Sequence, residues 1–152
     1  MKRAHQYLVQ NGKSNSEIRQ FKSQLYHMWF RLYHRDRTRG ADSSGFEHVF
    51  VGETKSGTTR NDMPYADDQV LNVQFSWHGL LKPVGSTFIG VSPEFEMAVF
   101  TIFFLTSTEK TSTAVVNMDQ YQLELVVNRR GRSISTFYPK LLSNNNRHIL
   151  SN

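Results

Sequence analysis

The first third of the chain has the apolar spacing of helices. Residues 1–10 predict a short helix, which the turn-forming pair Asn11-Gly12 ends. Residues 14–17, Ser-Asn-Ser-Glu, read as a capping box that starts a second helix: the serine caps and the glutamate reaches back. Apolar residues then recur at spacings of three and four, which predicts one buried helical face ending near Arg35. The members of this face are Ile18, Phe21, Leu25, Met28, Trp29, Leu32 and Tyr33.

The remainder of the chain has mainly the patterns of strands. Residues 49–53 predict a first strand. Apolar and polar residues alternate over 71–77, which predicts a half-buried strand, and residues 80–90 predict a further extended stretch. The same alternation over 121–127, followed by a turn and then residues 133–137, predicts a β-hairpin.

One predicted element interrupts these strands. In Ser92-Pro93-Glu94 the serine is a preferred helix cap, the proline suits the first turn, and the carboxylate is stabilised by the positive end of the helix dipole. Residues 95–105 continue this segment as a buried helix or, alternatively, as an apolar strand, because a short apolar run fits both. The polar residues 106–113 predict a turn.

Two stretches predict irregular structure. Residues 54–68 are polar and predict a long loop, which is uncommon inside a compact domain unless it is functional or a segment is missing. Residues 143–152 contain three consecutive asparagines and predict a frayed tail. Helices followed by strands favour the α+β class with antiparallel sheets, and 152 residues are enough for one domain.

Composition and charge narrow the classes of site and partner. The chain has no cysteine, which excludes disulfides and thiolate metal sites. No apolar run is long enough to span a bilayer and the N-terminus lacks a signal-peptide pattern, so no membrane partner is expected. The net charge is +5, and residues 1–40 hold nine Lys and Arg against Glu17 and Asp36. Such a basic region either attracts polyanions or is an ordinary solvated helix face, and charge alone does not choose.

His48 is the first candidate for chemistry. It lies between Glu47 and Glu53, after the Ser-Ser-Gly of residues 43–45. Histidine titrates near neutrality, so it suits proton transfer, although a lone histidine is more often structural. Cleavage of RNA needs a base for the ribose 2′-OH, an acid for the leaving oxygen and positive charge at the phosphorus. His48 and Lys82 are candidates for a proton-transfer group and for the cation.

Hydroxyl and aromatic side chains supply candidates for base recognition. Tyr138 suits stacking on a base, and Ser86 or Thr136 suits a hydrogen bond to a pyrimidine edge. The alternative to a role in base recognition is that Tyr138 is an aromatic residue at a strand end and that Ser86 and Thr136 are exposed hydroxyls. The helical histidines, His27 among them, are interpreted as solvated or packing residues. The sequence shows no metal-ligand spacing, no glycine-rich phosphate loop and no nucleophile elbow.

Several separate motifs, in the expected order, resemble the EndoU (XendoU) family of endoribonucleases over nearly the whole chain. They are Met-Lys-Arg-Ala-His-Gln-Tyr-Leu at 1–8, the stretch 43–53, Val-Gln-Phe-Ser-Trp at 73–77, the stretch 82–90, and Ser-Pro-Glu-Phe-Glu-Met-Ala at 92–98. The ending Thr-Phe-Tyr-Pro-Lys-Leu at 136–141 is also similar to the uridylate-specific endoribonuclease of coronaviruses.

The resemblance implies an enzyme that cleaves single-stranded RNA on the 3′ side of uridines and leaves 2′,3′-cyclic phosphate ends, often with manganese dependence. It implies an α+β fold in which two sheet-bearing lobes flank a catalytic groove. We expect a monomer with a single domain over residues 1–142, in which the lobes cover about 1–66 and 67–142, followed by the tail at 143–152.

The resemblance also assigns roles to individual positions. His48 matches the first catalytic histidine and Lys82 the catalytic lysine, with Glu47 and Glu53 as supporting carboxylates. The positions that hold the uracil are Ser86 and Tyr138, with Thr136 nearby. No ligands for the implied Mn²⁺ are identifiable in the sequence.

One departure from the family pattern bears on activity. The family carries a second catalytic histidine in a Gly-Phe-His-Asn-Trp-like motif after the first strand, and this motif is absent here. Instead Gly57 runs directly into Thr58, at a join that resembles a skipped exon, a deletion or a gene-model error. We therefore expect impaired cleavage. The alternatives are an RNA-binding module that does not cut and a product that is not stably folded.

Overall fold

A computed structural model describes residues 1–34, 40–52, 70–72, 75–77, 80–82, 86–118 and 121–144. Within these residues, helices come first and strands follow, with one helix between them, which confirms the predicted α+β class. The helices are α1 (Lys2–Gln10), α2 (Ile18–Trp29), a π-helix (Glu47–Gly52), here called the His48 helix, and α3 (Pro93–Thr106). The strands are β1 (Val70–Asn72), β2 (Phe75–Trp77), β3 (Leu80–Lys82), β4 (Ser86–Phe88), β5 (Thr111–Met118), β6 (Tyr121–Arg130) and β7 (Ser133–Asn144).

The chain divides into two compact units, each made of discontinuous segments. The first unit contains Met1–Glu53, Val91–Ser112 and Val127–Phe137. The second contains Thr54–Gly90, Thr113–Val126 and Tyr138–Asn152. The lobe boundary predicted near residue 66 and the predicted loop over 54–68 lie outside the described residues. The tail predicted over 143–152 starts too early, because Ser143 and Asn144 still belong to β7, and the rest of it lies outside the described residues.

The start of α2 differs from the prediction. The capping box expected at residues 14–17 is wrong, because Glu17 is the N-cap and its side chain makes no capping hydrogen bond. The hydroxyl of Ser14 donates instead to Oε1 of Gln24 at 2.9 Å. The turn is held by Asn15, whose Oδ1 accepts from the backbone N–H of Glu17 at 2.8 Å. A local side chain–backbone hydrogen bond of this kind competes with the predicted cap.

The buried face of α2 is shorter than the spacing predicts. Phe21, Met28 and Trp29 are buried, and the helix ends at Trp29 rather than near Arg35. Ile18 and Leu32, assigned to the same face, are 53% and 51% exposed. Tyr33, the last predicted member, is buried although it lies beyond the helix. Periodicity therefore identified the centre of the face and Tyr33 correctly and was wrong for Ile18, for Leu32 and for the end of the helix.

The strand expected at residues 49–53 is wrong, because this segment forms the His48 helix up to Gly52, and Glu53 lies outside the described residues. A short apolar run fits a strand and a helix equally well, so tertiary packing decides. Phe50 provides that packing. Its ring lies 5.5 Å from the ring of Trp29 and 6.4 Å from the ring of Phe100.

The helix start predicted at Ser92-Pro93-Glu94 is confirmed in α3. Ser92 is the N-cap, and its hydroxyl oxygen accepts from the backbone N–H of Phe95 at 3.2 Å. Hydrogen bonding to the backbone, together with the Ser92 hydroxyl, lowers the pKa of Glu94 below its ordinary value. Of the two alternatives left open for residues 95–105, the helix is correct.

Short strand pairs account for the middle of the chain. The strand predicted over 71–77 is two strands with different partners: β1 pairs antiparallel with β4, and β2 pairs antiparallel with β3. The extended stretch expected at 80–90 contains β3 and β4. The turn expected at residues 78–79 lies outside the described residues.

The hairpin at the end of the chain is confirmed, and one strand of its sheet was missed. Strands β5, β6 and β7 form a three-stranded antiparallel sheet in that order. Gly131, at φ 60°, occupies the turn between β6 and β7, a backbone conformation that glycine adopts without strain. Strand β5 begins at Thr111, inside the turn predicted for 106–113, and its threonines and valines are β-branched residues typical of strands.

The core of the first unit is a chain of aromatic contacts. The rings of Phe100 and Phe137 stack at 3.9 Å, and Phe103 meets Phe137 edge-on at 5.5 Å. Beside them the indole Nε1 of Trp29 donates to Oγ1 of Thr101 at 3.0 Å, and both residues are fully buried. This hydrogen bond ties α2 to α3. Among the described residues no helix is long and apolar enough to span a bilayer.

Replacing Thr101 with valine tests the hydrogen bond between α2 and α3. Valine keeps the volume but leaves the buried indole N–H of Trp29 without an acceptor, so we expect Thr101→Val to lower the free energy of unfolding by about 1–3 kcal/mol. Thr106→Val is the matched control, because Thr106 is exposed and its replacement should change stability by less than about 0.5 kcal/mol. Urea denaturation measures both. Equal losses for the two variants would contradict a stabilising role for this hydrogen bond.

Candidate functional site

The helix that carries His48 begins with a capping box. The hydroxyl oxygen of Ser44 accepts from the backbone N–H of Glu47 at 3.2 Å. The Glu47 carboxylate in turn accepts from the Ser44 backbone N–H at 3.1 Å and from the Ser44 hydroxyl at 3.0 Å. The backbone N–H of His48 then donates to the carbonyl of Ser44 at 3.1 Å. The Ser-x-x-Glu signature at residues 44–47 was present in the sequence, but we predicted the box at 14–17 instead.

Backbone contacts fix where this helix starts. Ser43 and Tyr33 form an antiparallel bridge, in which the N–H of Tyr33 donates to the carbonyl of Ser43 at 2.8 Å. Next to it Gly45 lies against other backbone segments: a Cβ at this position would be 2.9 Å from the carbonyl oxygen of Ile134 and 3.1 Å from that of Met28. The first helical turn therefore lies against α2 and β7 too closely for a side chain at position 45.

His48 itself is half-buried in the π-helix. π-Helical turns are rare in proteins, and those that occur are often found at functional sites. The Glu47 side chain is exposed, and its carboxylate is bound within the capping box. The described contacts of Glu47 are thus those of a helix-capping residue. Glu53, the other predicted supporting carboxylate, lies outside the described residues.

One hydrogen bond in the second unit brings Ser86 next to the chain segment that carries Tyr138. Ser86 lies in β4 and is half-buried, and its hydroxyl donates to the carbonyl oxygen of Pro139. Pro139 is the neighbour of Tyr138 in β7, and Tyr138 is also half-buried. The hydrogen bond therefore holds Ser86 within one residue of Tyr138, although 51 residues separate them in the sequence. Spacing along the chain gives no signal for this proximity.

The remaining predicted site residues are described in part. Lys82 ends β3, where its backbone pairs with that of Phe75, and the described part of the chain does not include its side chain. Thr136 is half-buried in β7. His48, Glu47 and Thr136 belong to the first unit, and Lys82, Ser86 and Tyr138 to the second.

The carboxylates and histidines of the described residues are dispersed. Over the described residues no group of three or more His, Asp or Glu side chains is placed to hold a metal ion. Glu47, the one predicted carboxylate that is described, is committed to Ser44. These residues do not form a manganese site.

Comparison with known proteins gives consistent matches. The family model for Endoribonuclease XendoU matches residues 1–60 and 57–139. Uridylate-specific endoribonuclease C of Danio rerio is 65% identical over 98% of this chain, and Poly(U)-specific endoribonuclease of Xenopus tropicalis is 47% identical over 96%. A solved structure of XendoU, described as a splicing independent snoRNA processing endoribonuclease, superposes with a TM-score of 0.76 at 47% identity.

The matches also define how much of these relatives the chain represents. The chain spans 57% and 59% of the lengths of the two curated relatives. Its superposition on the solved XendoU structure covers 94% of this chain and 63% of that chain. The alignment with the Danio rerio relative extends over 176 positions, whereas this chain has 152 residues, so at least 24 positions of the relative have no counterpart here. The two segments of the family match meet at residues 57–60.

Two variants at Glu47 separate capping from charge. Glutamine preserves the capping box and alanine removes it, so we expect Glu47→Ala to lower the free energy of unfolding by about 1 kcal/mol and Glu47→Gln to lose clearly less. Glu109→Ala is the control, since Glu109 is an exposed carboxylate in the turn before β5. Urea denaturation at neutral pH measures all three. A loss in Glu47→Gln equal to that in Glu47→Ala would mean that the charge, not the cap, stabilises the helix.

Proposed function

Because this chain belongs to the XendoU endoribonuclease family, we propose that it is a uridylate-preferring endonuclease of single-stranded RNA. The proposal agrees with the names of its relatives, a uridylate-specific and a poly(U)-specific endoribonuclease. The single observation that carries the uridine preference is the hydroxyl of Ser86, which is oriented by the Pro139 carbonyl beside Tyr138. We propose that the protein acts as a monomer.

The proposed reaction is a transesterification. His48 takes the proton of the ribose 2′-OH, the 2′-oxygen forms a bond to phosphorus, and the bond from phosphorus to the 5′-oxygen breaks. The product is a 2′,3′-cyclic phosphate, and no water is incorporated, so the chemistry is that of an RNA lyase. Lys82 supplies positive charge to the phosphorane. The leaving 5′-oxygen needs a proton, which in this chain comes from water.

The orientation of Ser86 provides a physical basis for selecting uracil. A carbonyl oxygen only accepts, so the hydrogen bond to Pro139 commits the Ser86 proton. The remaining lone pairs of the hydroxyl can only accept from the base. Uracil presents an N3–H donor at its pyrimidine edge, whereas the N3 of cytosine is an acceptor. The same hydroxyl therefore favours uracil, and Tyr138 offers a ring on which the base stacks, with Thr136 nearby.

We further propose that cleavage by this chain is impaired. The Danio rerio relative has positions that this chain lacks, and the family match divides at residues 57–60. Both observations support the loss of the segment with the second catalytic histidine. Loss of one general acid or base lowers a rate by about 10²–10⁴-fold. Binding of RNA does not need that acid, so a chain that binds without cutting is the second candidate function.

Manganese dependence follows only from family resemblance. The described residues offer no group that could hold the ion, and no step of the proposed reaction passes through it. Including and omitting Mn²⁺ in the cleavage assay tests the dependence.

A cleavage assay tests the proposed function. The substrate is a deoxyoligonucleotide with one ribouridine, used with enzyme in excess. We expect slow cleavage after the uridine, about 10²–10⁴-fold below the rate of a complete family member, and a further loss in His48→Ala because it removes the proton acceptor. His34→Ala, at an exposed histidine outside the helices, is the control.

Two results would contradict this account. A rate equal to that of a complete relative would exclude impairment. No cleavage, combined with salt-dependent binding of the same oligonucleotide that weakens in Tyr138→Ala, would favour the binding module.

Replacing Ser86 tests how the base is read. Ser86→Ala removes the acceptor for the uracil N3–H, so the ratio of cleavage rates at uridine and cytidine should fall by about tenfold. Ser86→Thr keeps the hydroxyl and should keep the ratio. The ratios can be compared only if both variants keep the thermal unfolding midpoint of the original protein, because the Ser86 hydroxyl also joins β4 to β7. An unchanged ratio in a folded Ser86→Ala protein would assign the selection to another group.

A further inference from the structure

The first unit contains a cleft to which the sequence analysis assigned no role. It has a volume of about 630 Å³ and lies where the turn between α1 and α2, one face of α2, the end of α3 and the β6–β7 turn come together. We call it the α2 cleft. This volume is typical of pockets that take small-molecule ligands and exceeds that of a single phosphate. None of the residues proposed for cleavage lines it.

The charges that line the α2 cleft have one sign. Lys13, Arg129 and Arg132 line it, and no aspartate or glutamate does. Within the described part of the chain no carboxylate pairs with any of these three cations. Arginine and lysine are the side chains that bind phosphate, arginine through its planar fork of donors. The electrostatics of the α2 cleft therefore fit an anionic ligand.

Two buried nitrogen atoms at the α2 cleft have no hydrogen-bond partner. They are Nδ1 of His27 and Nε of Arg129, the two such side-chain atoms of the described residues, and both residues line the cleft. Buried polar groups are normally satisfied, so two unsatisfied nitrogens on residues that line one cleft make it a candidate ligand site. Burial also lowers the pKa of Arg129, so this guanidinium pays a desolvation cost that a nearby anion would offset.

The rest of the lining combines neutral polar side chains with the apolar Met28, Phe104 and Leu105. Gln20, Ser23 and Gln24 from α2 and Asn15 from the preceding turn contribute amides and a hydroxyl. Such groups form directed hydrogen bonds with a sugar or with the edge of a base. A site that combines cations with neutral polar groups matches a phosphate that carries a polar substituent.

We propose that the α2 cleft binds a nucleoside phosphate, either as a free nucleotide or as one unit of an RNA chain. Arg129 is held in place by α3, since its guanidinium donates to the carbonyls of Phe104 and Ser107, the latter at 2.9 Å. It provides a fixed charge, while Lys13 and Arg132, both exposed, close on the phosphate. The site does not depend on cleavage and stands without the proposed function.

The test uses the full chain and variants at the exposed cations. Lys13→Gln and Arg132→Gln each remove one cation from the α2 cleft without touching the core. Arg130→Gln is the matched control: Arg130 lies two residues from Arg132, is exposed, and stacks over the ring of Tyr33 instead of lining the cleft. Thermal unfolding confirms that all three fold.

The probes are inorganic phosphate, uridine monophosphate and a short, non-cleavable 2′-deoxy oligouridylate. We expect uridine monophosphate to shift the amide NMR signals of residues 12–15 and 20–27, with binding weakened roughly threefold to tenfold by each cleft variant and unchanged in Arg130→Gln. If an RNA chain is the source, both cleft variants also weaken oligonucleotide binding, and each lowers the salt slope by about one.

The outcomes distinguish the sources of the phosphate and the two proposals. Variant-sensitive binding of the mononucleotide with unchanged oligonucleotide binding identifies a free nucleotide as the ligand. If neither probe distinguishes the cleft variants from Arg130→Gln, the α2 cleft is not a nucleotide site. That result would leave the cleavage assay with His48→Ala unaffected, because His48 does not line the cleft.

Discussion

The stacking of aromatic rings is the interaction on which the first unit depends. Phe50 from the His48 helix contacts Trp29 of α2 and Phe100 of α3, and Phe100 stacks on Phe137 of β7. Four elements distant in the sequence are thereby held to one core. Aromatic pairs prefer defined offsets and tilts, so they restrict orientation as well as distance. The helix with the proposed base is positioned by this core.

Local signals in the sequence predicted some elements well. The capping serine, the proline and the acidic residue that predict the start of α3 are consecutive, at residues 92–94, and the helix begins at the position they predict. The hairpin of β6 and β7 likewise follows from alternation interrupted by glycine. In contrast, Phe50 belongs to an apolar run that fits either period, and its contacts with Trp29 and Phe100 favour the helix, whose start the capping-box signature at residues 44–47 indicates.

The candidate site was predictable to the extent that it depends on residue type. His48 and Ser86 were predicted as candidates from their chemistry and from family resemblance. The capping role of Glu47 was missed although its signature was present, because a carboxylate beside a histidine suggests chemistry first. Two features of the structure come from pairings between distant segments, which the spacing of residues along the sequence does not predict. They are the hydrogen bond from Ser86 to the Pro139 carbonyl and the cleft that His27 lines.

The contact of Gly45 with the backbone of α2 and β7 limits how the family site can vary. At most positions, evolution adjusts geometry by exchanging one side chain for another of different size. Here two main chains touch, so there is no side chain to exchange, and the distance between the histidine-bearing turn and its support changes only if whole segments move. The position of His48, the proposed base, therefore depends on contacts of the main chain that single substitutions adjust little.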